Sequence, residues 1–144
     1  MCHIVSVVCM FPGGGTGIGR ATCQAFASEG ASVAVVGNIR SDVEDTARTL
    51  KEIAEKSGHK DSKFIPFEVD VSDSSQVNAM FESLATSFGE GSPPLSVIVN
   101  AAGIHEFVMN SILQQTEQSF DKVIDVNLKV STVTLPRSIL DIKL

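Results

Sequence analysis

The chain has 144 residues, 43% hydrophobic and 19% charged, with eight Phe, no Tyr and no Trp. These fractions belong to a folded chain long enough for one ordinary domain, and they exclude wholesale disorder. Eleven Lys+Arg against seventeen Asp+Glu give a formal net charge of −6, which excludes a general nucleic-acid-binding surface, and no chemistry here can use a tyrosine of this sequence.

Along the chain, short apolar runs alternate with longer amphipathic segments. Residues 4–11 are apolar apart from Ser6 and rich in valine, as expected of a strand covered on both faces. This run lacks the charged n-region and small-residue cleavage site of a leader peptide, and it is far short of the roughly 18 residues of a membrane span. After the glycines at 13–15, Ile18, Ala21, Thr22, Ala25 and Phe26 recur at helical spacing up to Gly30, a residue suited to ending a helix. Residues 32–36 predict a second strand. Ser41 or Asp42 is then placed to cap a helix with apolar positions Val43, Ala47, Leu50, Ile53 and Ala54.

Beyond a polar loop at 58–62, residues 64–70 predict a third strand, pushed towards the sheet edge by Pro66. Ser72, Asp73 or Ser74 opens a helix through Val77, Met80, Phe81, Leu84 and Phe88, and a turn at 89–94 leads into a fourth strand at 95–100. From Thr116 to about residue 135 a last helix is expected, with Phe120, Val123, Ile124, Val126 and Leu128 apolar and Pro136 ending or kinking it. Strands alternating with helices predict an α/β fold with a parallel sheet covered on both faces. No repeat or linker divides the sequence, so one domain over 1–144 is expected.

Cys2, Cys9 and Cys23 cannot all pair with one another, and their spacing is not that of a disulfide framework. Reduced thiols in an intracellular chain, cytoplasmic or mitochondrial, are the simplest expectation. Cys2, His3 and Cys9 have no second ligand pair, so no metal site is expected.

The segment Gly13-Gly14-Gly15-Thr16-Gly17-Ile18-Gly19 joins the first strand to the first helix. Glycines there permit positive φ and let backbone N–H groups approach a pyrophosphate, while the helix N-terminus adds donors and partial positive charge. Gly19, lacking a side chain, admits close helix–strand packing. A turn that merely reverses the chain is the structural alternative. No Lys-Ser/Thr pair follows the last glycine, which excludes a Walker phosphate loop.

The spacing Gly-x-x-x-Gly-x-Gly resembles that of the short-chain dehydrogenase/reductase family, and three further segments resemble it in order: Asp70-Val71, Asn100-Ala101-Ala102-Gly103 and Asp125-Val126-Asn127. The resemblance spans residues 4–130. It implies a Rossmann-like, doubly wound sheet that binds NAD or NADP through Gly13, Gly15, Thr16, Gly17, Ile18, Gly19, Asp70, Val71, Asn100, Ala101 and Gly103. It also implies that Asn127 is an active-site residue that helps hold a water in a proton relay. Each match has a plainer alternative: Asp70 as a helix cap, 100–103 as an ordinary turn, Asn127 as a satisfied core amide. His105 reads as a variable loop residue.

Three departures stand out. Pro12 replaces the Thr that usually precedes the first glycine, removing a hydroxyl hydrogen bond. The second strand ends at Gly37-Asn38-Ile39-Arg40 with no acid before Asp42. A 2′-phosphate would therefore meet no carboxylate there, and Arg40 is placed to reach it unless it is only a solvated loop charge. This leans towards NADP tolerance without choosing a cofactor. Finally, the family's Ser, Tyr and Lys lie on a strand and helix beyond Asn127, whereas this sequence stops at Leu144 and diverges over 130–144.

The sequence-based expectation is thus a doubly wound sheet truncated after about four strands. Its fourth strand would be an exposed edge, prone to self-association. Residues 121–129 and 100–104 look most like the branch of 17β-hydroxysteroid dehydrogenase type 8 and 3-oxoacyl-carrier-protein reductases. The implied family reaction is hydride transfer between a nicotinamide and a hydroxyl/keto substrate, steroid or 3-oxoacyl, usually by homo- or hetero-oligomers. The alternative is a non-catalytic dinucleotide-binding or interaction protein, or an inactive truncated product; turnover by this chain alone is not expected.

Overall fold

A computed structural model describes residues 7–89, 93–105 and 115–129. The expectations for Cys2, His3, the first residues of the opening strand, Pro136 and the 130–144 tail lie outside these residues. At the centre is β1 (Val8–Pro12), flanked by β2 (Ser32–Gly37) and β4 (Leu95–Ile98), with β3 (Phe64–Glu68) beyond β2. All pairings are parallel and the order is β3-β2-β1-β4, as the doubly wound expectation requires. Pro66 does lie on a strand at the edge of this sheet.

The helices are α1 (Gly17–Ser28), α2 (Arg40–Lys56), α3 (Ser74–Ser87) and α4 (Glu117–Ile124), the last running into a π-helical turn at Asp125–Lys129. Strand alternation sorts the core into two layers. Val8 and Met10, with Ala34 and Val36, pack against Val77, Met80, Phe81 and Leu84 of α3. Cys9 and Phe11, with Val33 and Val35, pack against Cys23 and Ala27 of α1 and Val43, Ala47 and Leu50 of α2. Each fully buried Val, Leu or Phe contributes about 1.5–3 kcal/mol, so β1 and β2, which are covered on both faces, anchor the molecule.

Several local expectations need correction. The buried face of α1 is Gly19, Cys23 and Ala27, while Ile18, Ala21 and Ala25 are exposed. Close approach selects small residues there: a Cβ on Gly19 would lie 2.1 Å from the Gly13 carbonyl oxygen. The end of α1 is as expected, with Gly30 N–H donating to Ala27 O and Ala31 N–H to Phe26 O, a Schellman closure.

Ile39, not Ser41 or Asp42, holds the N-cap position of α2 and makes no side-chain cap; Asp42 sits in the first turn instead, where a carboxylate complements the helix dipole. Of the candidates for opening α3, Asp73 is the cap, accepting from the N–H groups of Ser75 and Gln76. The Ser75 hydroxyl also donates to Asp73, and this bond first, with those from the two N–H groups and the Gln76 side chain, holds the Asp73 carboxyl below the usual carboxylate range. The third and fourth strands end at Glu68 and Ile98, short of residues 70 and 100, where the chain turns into the loops described next. The last helix changes to π geometry after Ile124, and none of the α4 residues is buried.

Candidate functional site at the carboxyl ends of the strands

A cleft of about 1140 Å³ opens beyond the carboxyl ends of the strands. It lies beside the junction of β1 and β4, where the strand order β3-β2-β1-β4 reverses, the switch point at which ligands bind in such sheets. One wall is the glycine segment. Gly13, with φ +81°, donates its N–H to Val36 O at 2.9 Å, and a Cβ on it would lie 2.5 Å from the Ala101 carbonyl carbon and the Ala102 nitrogen. The Ala101 N–H in turn donates to Pro12 O at 2.8 Å. The 13–19 and 100–103 segments therefore meet main chain to main chain. The proline that replaces the expected threonine keeps this link through its carbonyl.

Thr16 caps α1 in extended conformation without a side-chain bond, and the helix has no acid in its first turn. The first intrahelical bond runs from Arg20 N–H to Thr16 O, so the N–H groups of Gly17, Ile18 and Gly19 precede it. All three residues, with Gly13 and Thr16, line the cleft. Gly17 (φ +50°) has nothing within 4 Å of a hypothetical Cβ, so an incoming group meets open space beside these donors.

Gly15 plays a different part from its neighbours. It faces α2, where a Cβ would lie 3.1 Å from the Asp42 Cβ. Its carbonyl accepts from the Thr46 hydroxyl at 3.2 Å, and Thr46 Oγ1 accepts from Arg20 Nε at 2.8 Å. Thr46 is fully buried, and sequence reasoning missed it. The available signal was a lone hydroxyl inside the apolar stripe of Val43, Ala47 and Leu50.

At the β2–β3 end, Gly37 and Asn38 line the cleft opposite Asp70 and Val71. Val69 N–H donates to Gly37 O at 2.8 Å and fastens the two strand ends. One Asp70 carboxylate oxygen accepts from the Ser72 N–H and hydroxyl, at 2.9 and 2.7 Å, bracing its own turn.

Arg40 is not among the lining residues. Its Nε donates to Glu68 Oε2 at 2.9 Å, and its guanidinium lies 3.6 Å from Glu44 Oε1. The sequence shows no acid at the end of β2, but the fold brings Glu68 across from β3, in register with Gly37. The expectation of a carboxylate-free surrounding is corrected accordingly.

The opposite wall comprises 101–105 and residues of α4 and its π turn, including Asp121, Lys122, Asp125 and Val126. Asn127 Nδ2 donates to Ile104 O and its Oδ1 accepts from Ile104 N–H, both at 2.8 Å. Its side-chain amide is therefore committed to the loop, clasping 103–105 to the π turn. Asn127 and Asn100 are not among the lining residues, whereas His105 lines the cleft. Burial pushes the Cys9 thiol up to about 11 and Cys23 up to about 12, so both stay neutral and unreactive at ordinary pH. No helix among the described residues is long and apolar enough to cross a membrane.

The model of the short chain dehydrogenase family matches residues 7–142. The human protein (3R)-3-hydroxyacyl-CoA dehydrogenase is 36% identical over 124 residues, covering 86% of this chain and 46% of that protein. A 3-ketoacyl-ACP reductase structure from Sinorhizobium meliloti superposes with a TM-score of 0.76 at 31% identity, covering 93% of this chain and 48% of its own. The L-sorbose reductase of Gluconobacter frateurii, solved with NADPH and L-sorbose, superposes with a TM-score of 0.81 at 25% identity over 96% and 48% of the two chains. The chain spans about half the length of the curated relatives it matches. With its parallel sheet, its glycine segment seated against 101–102 and this match across 7–142, the chain belongs to the short chain dehydrogenase family.

Proposed function

We propose that these residues form the dinucleotide-binding part of an oxidoreductase that moves hydride between NAD(P) and a hydroxyl/keto substrate. The observation that carries this is the open space at Gly17 beside the leading N–H groups of α1, in a segment fixed against Ala101 and Ala102. N–H groups ahead of the first intrahelical bond, on a helix with no acid in its first turn, suit a pyrophosphate, and the cleft has room for a nucleotide at either side. Gly13, Thr16, Gly17, Ile18 and Gly19 would hold the pyrophosphate, with Gly15 acting through its contact with α2. Asp70 and Val71 would face the adenine, and Asn100, Ala101 and Gly103 would support the middle of the dinucleotide.

The bound nicotinamide would supply or accept the hydride. The chain's own part is to orient it and to keep the 103–105 loop in place through Asn127. The names of the two acyl-group relatives favour a 3-oxoacyl substrate over a steroid.

Titration with NADH and NADPH tests the site. Because the sequence has no Trp or Tyr, the signal is the reduced cofactor's own emission, checked by calorimetry. Saturable binding at one site per chain, lost in Gly17→Asp, is expected. No saturable change with either cofactor would sink the proposal.

A further inference from the structure

The exposed ion-pair cluster at the β2–β3 end of the cleft bears on which dinucleotide is accepted. Arg40 is the first residue of α2, and Glu68 is the last of β3. Their side chains are joined at 2.9 Å, with Glu44 at 3.6 Å on the other side of the guanidinium. Glu68 lies in register with Gly37, and Gly37, Asn38 and Asp70 line the cleft beside it. One cation thus faces two carboxylates, a local charge of −1. A phosphate monoester arriving there carries a charge of about −1.5 to −2, so it meets net repulsion and an arginine whose Nε is already engaged.

We propose that Glu68 is the specificity-determining residue at the ribose 2′-position: it withholds Arg40 from a 2′-phosphate, so the chain favours NAD(H) over NADP(H). This rests on the dinucleotide reading given above. Selection against the phosphate then comes from an acid on β3, because the end of β2 has none. The same geometry supplies the route to reversal. Arg40 and Glu68 both reach solvent, so removing the carboxylate frees the guanidinium without disturbing the core, and the released fork matches a phosphate in two hydrogen bonds.

The test measures dissociation constants of NADH and NADPH by cofactor emission for the 144-residue chain, Glu68→Gln, Arg40→Gln and the double variant, with Glu44→Gln as a graded control. Wild type is expected to bind NADH more tightly. Glu68→Gln should tighten NADPH about tenfold while leaving NADH within about twofold, and the gain should vanish in the double variant. Glu44→Gln should give a smaller gain of the same sign, its pair being longer. Binding of both cofactors with an unchanged ratio in Glu68→Gln, or a gain that survives loss of Arg40, overturns the inference and leaves the dinucleotide site standing. Failure of either cofactor to bind any of the chains overturns both.

Discussion

The two walls of the cleft are built on different terms. On the glycine side, main chain meets main chain: Gly13 against Ala101–Ala102, Gly19 against Gly13, with buried Thr46 bracing Gly15 from behind. On the far side, α4 has no buried residue, and its π turn is clasped to the loop by one amide, Asn127 on Ile104. The first wall is fixed by the absence of side chains and the second by the presence of one. Rigidity therefore belongs where an anion would sit, and adaptability where a substrate would border the site.

This contrast can be broken at several points. Gly19→Ala should have the largest effect. Alanine raises helix propensity by about 1 kcal/mol, but its Cβ would overlap the Gly13 carbonyl, costing about 3 kcal/mol or more by forcing the segment apart. Gly17→Ala, with open space and only the left-handed φ to pay for, should cost about 1–2 kcal/mol. Urea unfolding followed by circular dichroism checks the order; equal losses would contradict the packing account.

Thr46→Val comes next. It keeps the volume but removes the hydroxyl between Arg20 and the Gly15 carbonyl, for an expected loss of about 1–3 kcal/mol. Thr46→Ser should recover most of it. Asn127→Ala should have the smallest effect on stability, about 1 kcal/mol, because its two hydrogen bonds are exposed. Its sharper readout is amide exchange at Ile104, which should quicken markedly while the N–H of Gly13 stays protected. Unchanged exchange at Ile104 would mean that the clasp does not hold the loop.

The same contrast explains what was legible in the sequence. The order of the strands rests on the doubly wound fold that the family resemblance implies, whereas the alternation of strands and helices, the edge position of β3 and the core face of α3 follow from apolar periodicity and one proline. Such patterns report what large side chains need. The buried face of α1 was misplaced by one residue because hydropathy ranks Ile18 above Gly19, whereas a helix pressed against a glycine loop selects for size. Thr46 and Glu68 were missed for another reason. Each matters through a partner distant in the chain, 31 residues away for Thr46 to Gly15 and 28 for Arg40 to Glu68, and only the parallel crossover brings them together. Asn127 was visible as a motif, but its clasp on Ile104 required the π turn to be seen.

Pro66 has a consequence beyond marking an edge. Val33 N–H donates to Lys63 O, and Val69 N–H to Gly37 O, so odd-numbered positions of this stretch turn their peptide groups towards β2. Phe64, Pro66 and Glu68 therefore turn theirs outward. The proline removes the middle donor from that outward row and sets its ring where a newcomer's carbonyl would dock. A foreign strand approaching β3 finds a ladder with its central rung missing, so growth of the sheet by β-addition is interrupted on that side.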